Sequence, residues 1–341
     1  MRNRPKTAGS GSSSFHSGYT RNDERIKKIR EKRAQLLKEA ERKRLETYIR
    51  RSARRHYKLK QKGWKITSLS ITKPKKKRIV KGVKYLLVDL TKKKLIKQKL
   101  SENYTHVINL SGHTSNLYSK KYKKKIYNSH YLGTKNLINF FLKKKIKSFI
   151  QIGSSAEYGN AKNPQNEKNL CEPTNIYGKA KFMATKYTIK TVSTHKFPAN
   201  VLRLFQVYGP HQGENRAVTQ LLKYCISNHN FPASDGKQIR DFCYIDDVIK
   251  AIYLLLRKNI SGKIINIGSG NGITMKKLIL TIQKVAKGGK PKFGLFKSRS
   301  HENTKLVPSI ILAKKLINWK PTTKLIDGLN KTRLFIIKNG K

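Results

Sequence analysis

Carboxylates are scarce in this chain. Eighteen Asp and Glu stand against 77 Lys and Arg in 341 residues, a formal charge of +59. A chain so short of acids cannot neutralise itself through internal ion pairs, and it attracts polyanions whatever its fold. Nucleic acid, the ribosome, an anionic membrane surface or a phosphorylated substrate would each satisfy that attraction; lysine-rich coding bias is its bland source. Cysteine is also rare. Cys171, Cys225 and Cys243 show neither metal-ligand spacing nor a disulfide pattern, so no metal site is expected and a reducing compartment suits the chain. Long apolar runs are missing, and none can span a bilayer. The N-terminus has no apolar core of the secretory kind. A cytoplasmic protein is the expectation, with an organellar matrix as the alternative because residues 1–22 are basic and free of acids.

Glycine is absent from "QLLKEAERKRL", and the glycines at 9, 11 and 18 lie in a Ser/Gly-rich stretch. Arginine usage changes near residue 60. Residues 1–60 hold 12 Arg and 8 Lys, whereas 61–341 hold 6 Arg and 51 Lys, which suggests two segments of different history. Residues 1–22 read as a flexible basic tail. Over 23–60, Ile26, Ile29, Leu36, Leu37, Ala40, Leu45, Tyr48 and Ile49 recur at three-to-four spacing, which predicts a long, basic, amphipathic helix.

From Lys65 the texture becomes strand–helix alternation. "KITSLSI", "YLLVDL", "HVINL", "SFIQIG" and "ANVLRLF" are short apolar runs, most of them separated by helical stretches such as 132–146 and 175–195. The pattern predicts an α/β fold with a parallel sheet covered on both faces. Later pieces, "RDFCYIDDVIKAIYLLL" and "IINIGSG", predict a smaller C-terminal α/β lobe.

Within "TNIYGKAKFMATKY", Tyr177 and Lys181 stand four residues apart and leave one helix face together. Alone the pair is a common coincidence in a lysine-rich chain. A phenol titrates near ~10, and a neighbouring ammonium lowers that value. A tuned tyrosine can then take a proton from a hydroxyl while hydride leaves the same carbon for a nicotinamide. Upstream, "SFIQIG" runs into "SSAEYG" and sets Ser154 and Ser155 past a strand's carboxyl end, where ligands bind in open α/β sheets.

Eight ordered pieces extend this constellation: "VINLSG", "GTKNLINFF", "IGSSAEYG", "YGKAK", "LRLFQVYGPHQ", "IRDFCYIDDVIKAI", "NIGSGNGIT" and "INWKPTTKLIDGL". In them the chain from about 54 to 335 resembles the extended short-chain dehydrogenase/reductase family, in its nucleotide-sugar epimerase/dehydratase branch. The resemblance implies a Rossmann-like doubly wound core over 61–205 and a mainly substrate-binding lobe over 206–341. It implies that Ser154 holds the substrate oxygen, Tyr177 is the acid/base, and Lys181 lowers its pKa while binding the nicotinamide ribose. It further implies that Asp89 contacts adenine, that Ser111 and Gly112 run past the cofactor, and that Gln206 and Arg240 face the substrate, Arg240 at its diphosphate. For Asp89 and Arg240 the plain readings are a strand-end cap and a surface ion pair.

Several positions depart from the pattern. Members of the family open on a strand, a G-x-x-G-x-x-G turn and a helix; here the turn should fall near 35–45, where no glycine stands. That first strand is central in the family's sheet, so its loss strips a partner from two buried edges unless residues 1–60 patch the gap or the sheet closes up. Dehydratases carry Asp-Glu after the Ser/Thr, whereas this chain has Ser155 and Ala156, which argues against dehydration. Ser70 replaces the acid that binds the adenosine ribose, with Lys73, Lys75, Lys76 and Lys77 beyond it, so NADP is as admissible as NAD. His130, where asparagine is common, reads as a helix-face histidine without a role. Two functions follow: an NAD(P)-dependent epimerase or reductase acting on a nucleotide sugar, or an inactive relative that binds RNA or an assembly through its basic surface. A homodimer would use helices 116–146 and 175–195.

Overall fold

The computed structural model describes residues 64–73, 79–100, 103–113, 120–295 and 304–339, and the tail and basic helix expected over 1–60 lie outside them. The described residues belong to one unit, Trp64–Lys341. Four parallel strands form its centre: β3 (His106–Asn109), β4 (Ser148–Ser154), β5 (Ala199–Leu204) and, later in the chain, Ile264–Ile267. Every residue of β4 is buried, as a strand covered by helices on both faces must be.

A second, two-stranded parallel sheet pairs β1 (Thr67–Ser70) with β2 (Lys84–Leu87). Among the described residues no ladder joins the two sheets. There, β1 pairs with β2 alone and β3 with β4 alone. At the start of β1 and β3 the rings of Trp64 and His106 meet edge-on, 4.5 Å between centroids. One apolar layer nevertheless runs beneath both sheets. Val88 joins Phe149 and Ala199 in it, with Ile96 of α1 (Lys93–Lys99) and Leu137, Ile138 and Phe141 of the helix over 133–141. That shared burial keeps the smaller sheet in place without backbone pairing.

Helix α2 (Lys120–Tyr127) runs through a π-helical turn, Asn128–Leu132, into α3 (Gly133–Phe141). Helix α4 (Ile176–His195) follows β4 and occupies the stretch in which helical periodicity was expected. The C-terminal part adds β6 (Gln206–Tyr208), α5 (Ala217–Ile226) and β7 (Ile239–Tyr244); β7 pairs in parallel with β6 and with Lys305–Leu306, and antiparallel with Gly272–Thr274. Helix α6 (Ile245–Leu256) packs under the central sheet with Ile150, Leu202, Ile265 and the fully buried Trp319. Trp319 donates its indole N–H to Asp247 O at 2.8 Å, and the Asp247 carboxylate accepts from Thr322 and Thr323. The cysteines are all free. No helix among the described residues is long and apolar enough to cross a membrane.

Candidate active site

Strand β4 stops at Ser154 because the chain there caps a short 3₁₀ turn. The Ser154 hydroxyl accepts from Ala156 N at 3.2 Å, and the Ser154 N–H donates to the Glu157 carboxylate at 2.7 Å. The other Glu157 oxygen accepts from Arg203 Nε at 2.9 Å, with both side chains out of solvent. Arg203 also stacks on Tyr158, 4.6 Å to the ring, and the Tyr158 hydroxyl donates to Asn266 at 2.8 Å. A buried, hydrogen-bonded ion pair therefore fixes the strand end that carries Ser154.

Helix α4 reaches this strand end through a glycine. A Cβ at Gly178 would stand 2.4 Å from Ala156 O, so only the bare backbone allows the approach. Asn175 caps the helix by accepting from Gly178 N at 2.9 Å. Tyr177 and Lys181 then face the cavity one turn apart. Lys181 is 4% exposed and donates from Nζ to Ile152 O at 2.8 Å. Burial lowers its pKa to about 8, against an opposing pull from Glu157. Burial pushes the Tyr177 phenol up, while a hydrogen bond with Ser154 and the charge of Arg216 act the other way. The lysine's expected lowering of the phenol is not what dominates this arrangement, because its ammonium is turned to the Ile152 carbonyl.

These groups share a cavity of about 540 Å³, at the carboxyl ends of β3, β4 and β5. Ser154, Ser155, Tyr177, Lys181, Ser111, Gly112 and Gln206 all line it. Ser111 is held by Asn109, whose Oδ1 accepts from its hydroxyl at 2.6 Å and its N–H at 3.1 Å. Three expected positions do not line it. Asp89 caps its own turn, accepting from Thr91 N at 2.9 Å and Thr91 Oγ1 at 2.8 Å. The Ser70 hydroxyl donates to Thr72 O at 2.6 Å. Arg240 is buried on β7 and donates from Nη1 to Ile239 O at 2.9 Å and Thr304 O at 3.4 Å.

Sequence reasoning missed other members of the wall. His130, 2% exposed, sets its ring edge-on to Tyr177 at 5.1 Å, and its Nε2 lies 3.1 Å from His113 O. Burial and the nearby Lys181 lower its pKa to about 3, so the imidazole is neutral at ordinary pH. Gly112 has φ +139°, and any Cβ there would strike the His130 ring at 1.8 Å. Arg216, Gln212 and Asn175 add to the polar lining, and among the described residues no carboxylate lines the cavity. The only available signal for His130 was its place three residues before Gly133-Thr134; Arg216 carried none.

Comparison with known proteins follows the same lines. Residues 54–268 match the model of the NAD dependent epimerase/dehydratase family. The chain belongs to that family. A relative named as the uncharacterized UDP-glucose epimerase YtcB of Bacillus subtilis is 30% identical over 186 residues, 54% of this chain and 58% of that protein. A UDP-glucuronate 4-epimerase of Thermodesulfobacterium geofontis is 27% identical over 207 residues, 60% of this chain and 64% of that one. The chain thus spans about three-fifths of the length of these curated relatives. Among solved structures, UDP-glucose 4-epimerase of Thermotoga maritima with UDP-glucose superposes with a TM-score of 0.79 at 22% identity, covering 85% of this chain and 96% of that one. UDP-glucuronic acid 4-epimerase of Bacillus cereus, in complex with UDP-glucuronic acid and NAD, gives 0.74 at 24% identity, covering 83% and 94%. At these identities the structural likeness is one of fold, an α/β Rossmann-like parallel sheet.

Proposed function

We propose that this family member interconverts or reduces a nucleotide sugar by hydride transfer, with Tyr177 moving the proton. The convergence of Ser154, Tyr177 and Lys181 on one cavity at the strand ends carries the reading. NAD or NADP, when bound, would supply the hydride acceptor for oxidation of the sugar carbon, and its reduced form the hydride donor that epimerisation's return step or a reduction needs. Ser154 orients the reacting hydroxyl through its side-chain oxygen, and Tyr177 accepts or returns that hydroxyl's proton. Lys181 suits the nicotinamide ribose, because its ammonium has three donors and Ile152 O accepts one. The loop Ser111–Gly112 borders the same space.

The nicotinamide end of the cofactor therefore fits the residues present. For the pyrophosphate, the sequence holds no glycine over 35–45, where the family's turn is expected, and the His130 ring occupies the space a Cβ would take at Gly112. Asp89 and Ser70, with Lys73 beside it, are the proposed contacts at the adenosine end, and the missing acid there admits NADP. Ser155, Gln206 and Arg240 are proposed for the substrate. Dehydration is disfavoured, since Ser155 and Ala156 follow Ser154 and, among the described residues, no carboxylate lines the cavity. A dimer through the helices over 116–146 and 175–195 belongs to the same proposal.

One observation favours a second reading. Among the described residues no ladder joins the two sheets, and α2 reads "KKYKKKIY" without an acid. A relative that no longer turns over could use such lysines to hold RNA. That binding would be indifferent to sequence and fall steeply with salt. The deciding experiment mixes the full chain with oxidised or reduced NAD or NADP and nucleotide sugars of several kinds, following nicotinamide absorbance and the sugar's configuration by NMR. A change in the nicotinamide's redox state or a new epimer supports the enzyme; neither, with salt-sensitive RNA binding, supports the second reading.

A further inference from the structure

Acids are missing from one whole layer of the protein. Over 103–156 and over 173–213 the sequence has no Asp or Glu. Those stretches build α2, the π-helical turn, α3 and α4, which pack beside one another. Phe149 of β4 meets α3, while its neighbour Ile150 meets α6, so the two helical layers cover opposite faces of the sheet. Helix α6 does carry acids, Asp246 and Asp247, in its first turn. Eight lysines over 123–147 and five over 176–196 thus have no carboxylate in their own layer to pair with. Among the described residues no ion pair reaches Lys124, Lys135 or Lys190.

Tyrosines stand among these lysines. Lys124, Tyr127, Tyr131 and Lys135 follow one another at three- or four-residue spacing along α2 and α3, which makes a stripe on one side. The Tyr127 and Tyr131 rings lie 5.3 Å apart, and Tyr131 meets Tyr187 of α4 at 6.3 Å. Lys135 sits over the Tyr187 ring at 5.8 Å, and Lys190 follows one turn later on α4. All three rings are half-buried, anchored in the layer yet reachable from solvent.

We propose that this face of α2, α3 and α4 docks single-stranded nucleic acid, with lysines on the phosphates and Tyr127 and Tyr131 as stacking platforms. The inference rests on the second reading above and gives it a site. Charge complementarity selects a polyanion. The tyrosines select its form, because the bases of a single strand can stack on aromatic rings whereas a duplex offers its phosphates alone. A second copy of the chain fits less well. A two-fold dimer through these helices would lay the face on itself and set lysine against lysine with no acid between. The helix over 275–286 also carries lysines, but no aromatic residue stands in it.

Fluorescence anisotropy of the full chain with a mixed-sequence RNA of about twelve nucleotides, as single strand and as duplex, tests the proposal. The single strand should bind roughly tenfold more tightly at equal salt, the worth of one or two stacked bases. Tyr127→Leu with Tyr131→Leu keeps apolar packing beneath the rings and should remove most of that preference. Lys124→Gln, Lys135→Gln and Lys190→Gln together should flatten the dependence of log K on log salt by about 2, at ~0.7 per phosphate. An equal charge loss outside the layer, Lys277→Gln, Lys284→Gln and Lys287→Gln, should change affinity by less than about twofold at physiological salt. Equal losses from both lysine sets, or a tyrosine variant that binds like wild type, overturn the proposal and leave RNA held by diffuse charge. Phosphatidylserine vesicles bound through the same residues, with no RNA bound, assign the face to a membrane and overturn it too. So does a dimer in sedimentation that persists with RNA bound and loses stability on the same substitutions. A wild type that binds neither RNA nor vesicles sinks the second reading itself, so the failures are distinct. Unfolding transitions of the variants close to wild type exclude a folding defect.

Discussion

Lys181→Met should abolish activity and make the protein more stable. Lys181 is 4% exposed, and its pKa is lowered from 10.5 to about 8 by burial. Each unit is worth ~1.36 kcal/mol of differential interaction, so the folded state bears ~3 kcal/mol for holding this ammonium charged. Methionine has a similar length and no charge. Its substitution removes the hydrogen bond to Ile152 O, but that carbonyl also accepts from Gln151 Nε2 at 3.1 Å and is not orphaned. Subtracting ~1 kcal/mol for the lost bond leaves an expected gain of about 1–3 kcal/mol at pH 7. The gain has a defined pH window. Below about 8 the lysine is protonated in folded and unfolded chains alike, and the full burden is present. Between about 8 and 10.5 the folded chain sheds its proton first, wild-type stability rises, and the variant's advantage shrinks. Urea denaturation of both proteins at pH 7 and near pH 10 measures this directly. A variant less stable than wild type at pH 7, or a difference unchanged at high pH, would refute the reasoning.

Glu157→Gln should cost about 3–5 kcal/mol, because it leaves the Arg203 charge buried without its partner; chemical denaturation checks it, and the same change should lower the Lys181 pKa further, since Glu157 raises it. The neutral His130 should make the fold acid-labile. Its pKa is about 3 in the fold against the ordinary 6.5 of a free imidazole, so the unfolded chain takes up a proton first. Stability should therefore fall by up to ~1.4 kcal/mol per pH unit as pH drops from about 6.5 towards 3. His130→Gln should flatten that limb in unfolding experiments across the range.

The site was legible where local periodicity and strand ends coincide. Tyr177 and Lys181 share a face because four residues make about a turn, and Ser154 ends an apolar run; both facts are local, and the cavity joins all three residues. The groups that hold them in place were not legible. Glu157 and Arg203 are 46 positions apart, and nothing in "SSAEYG" or "ANVLRLF" says that they meet. Arg216 sits in a turn, where neither the helical nor the strand period applies. His130 looked idle because a helix face alone does not say that its neighbour across the gap is Gly112, a residue without a side chain. For the fold, the alternation over 65–205 foretold the parallel sheet, but "IINIGSG", expected in the C-terminal lobe, supplies its fourth strand, Ile264–Ile267. The lack of a glycine turn left open how β1–β2 and β3–β4–β5 would meet, and among the described residues no ladder joins them.

The account stands or falls on the proton that Tyr177 moves. Tyr177→Phe keeps the ring packed against His130 and removes only the hydroxyl. In a single-turnover assay with NAD(P) and a nucleotide sugar that the wild type converts, the rate should drop by roughly 10²–10⁴, the range for a positioned acid–base group. Sugar binding by calorimetry and the unfolding transition should stay close to wild type. Turnover of the phenylalanine variant at the wild-type rate would contradict the central claim.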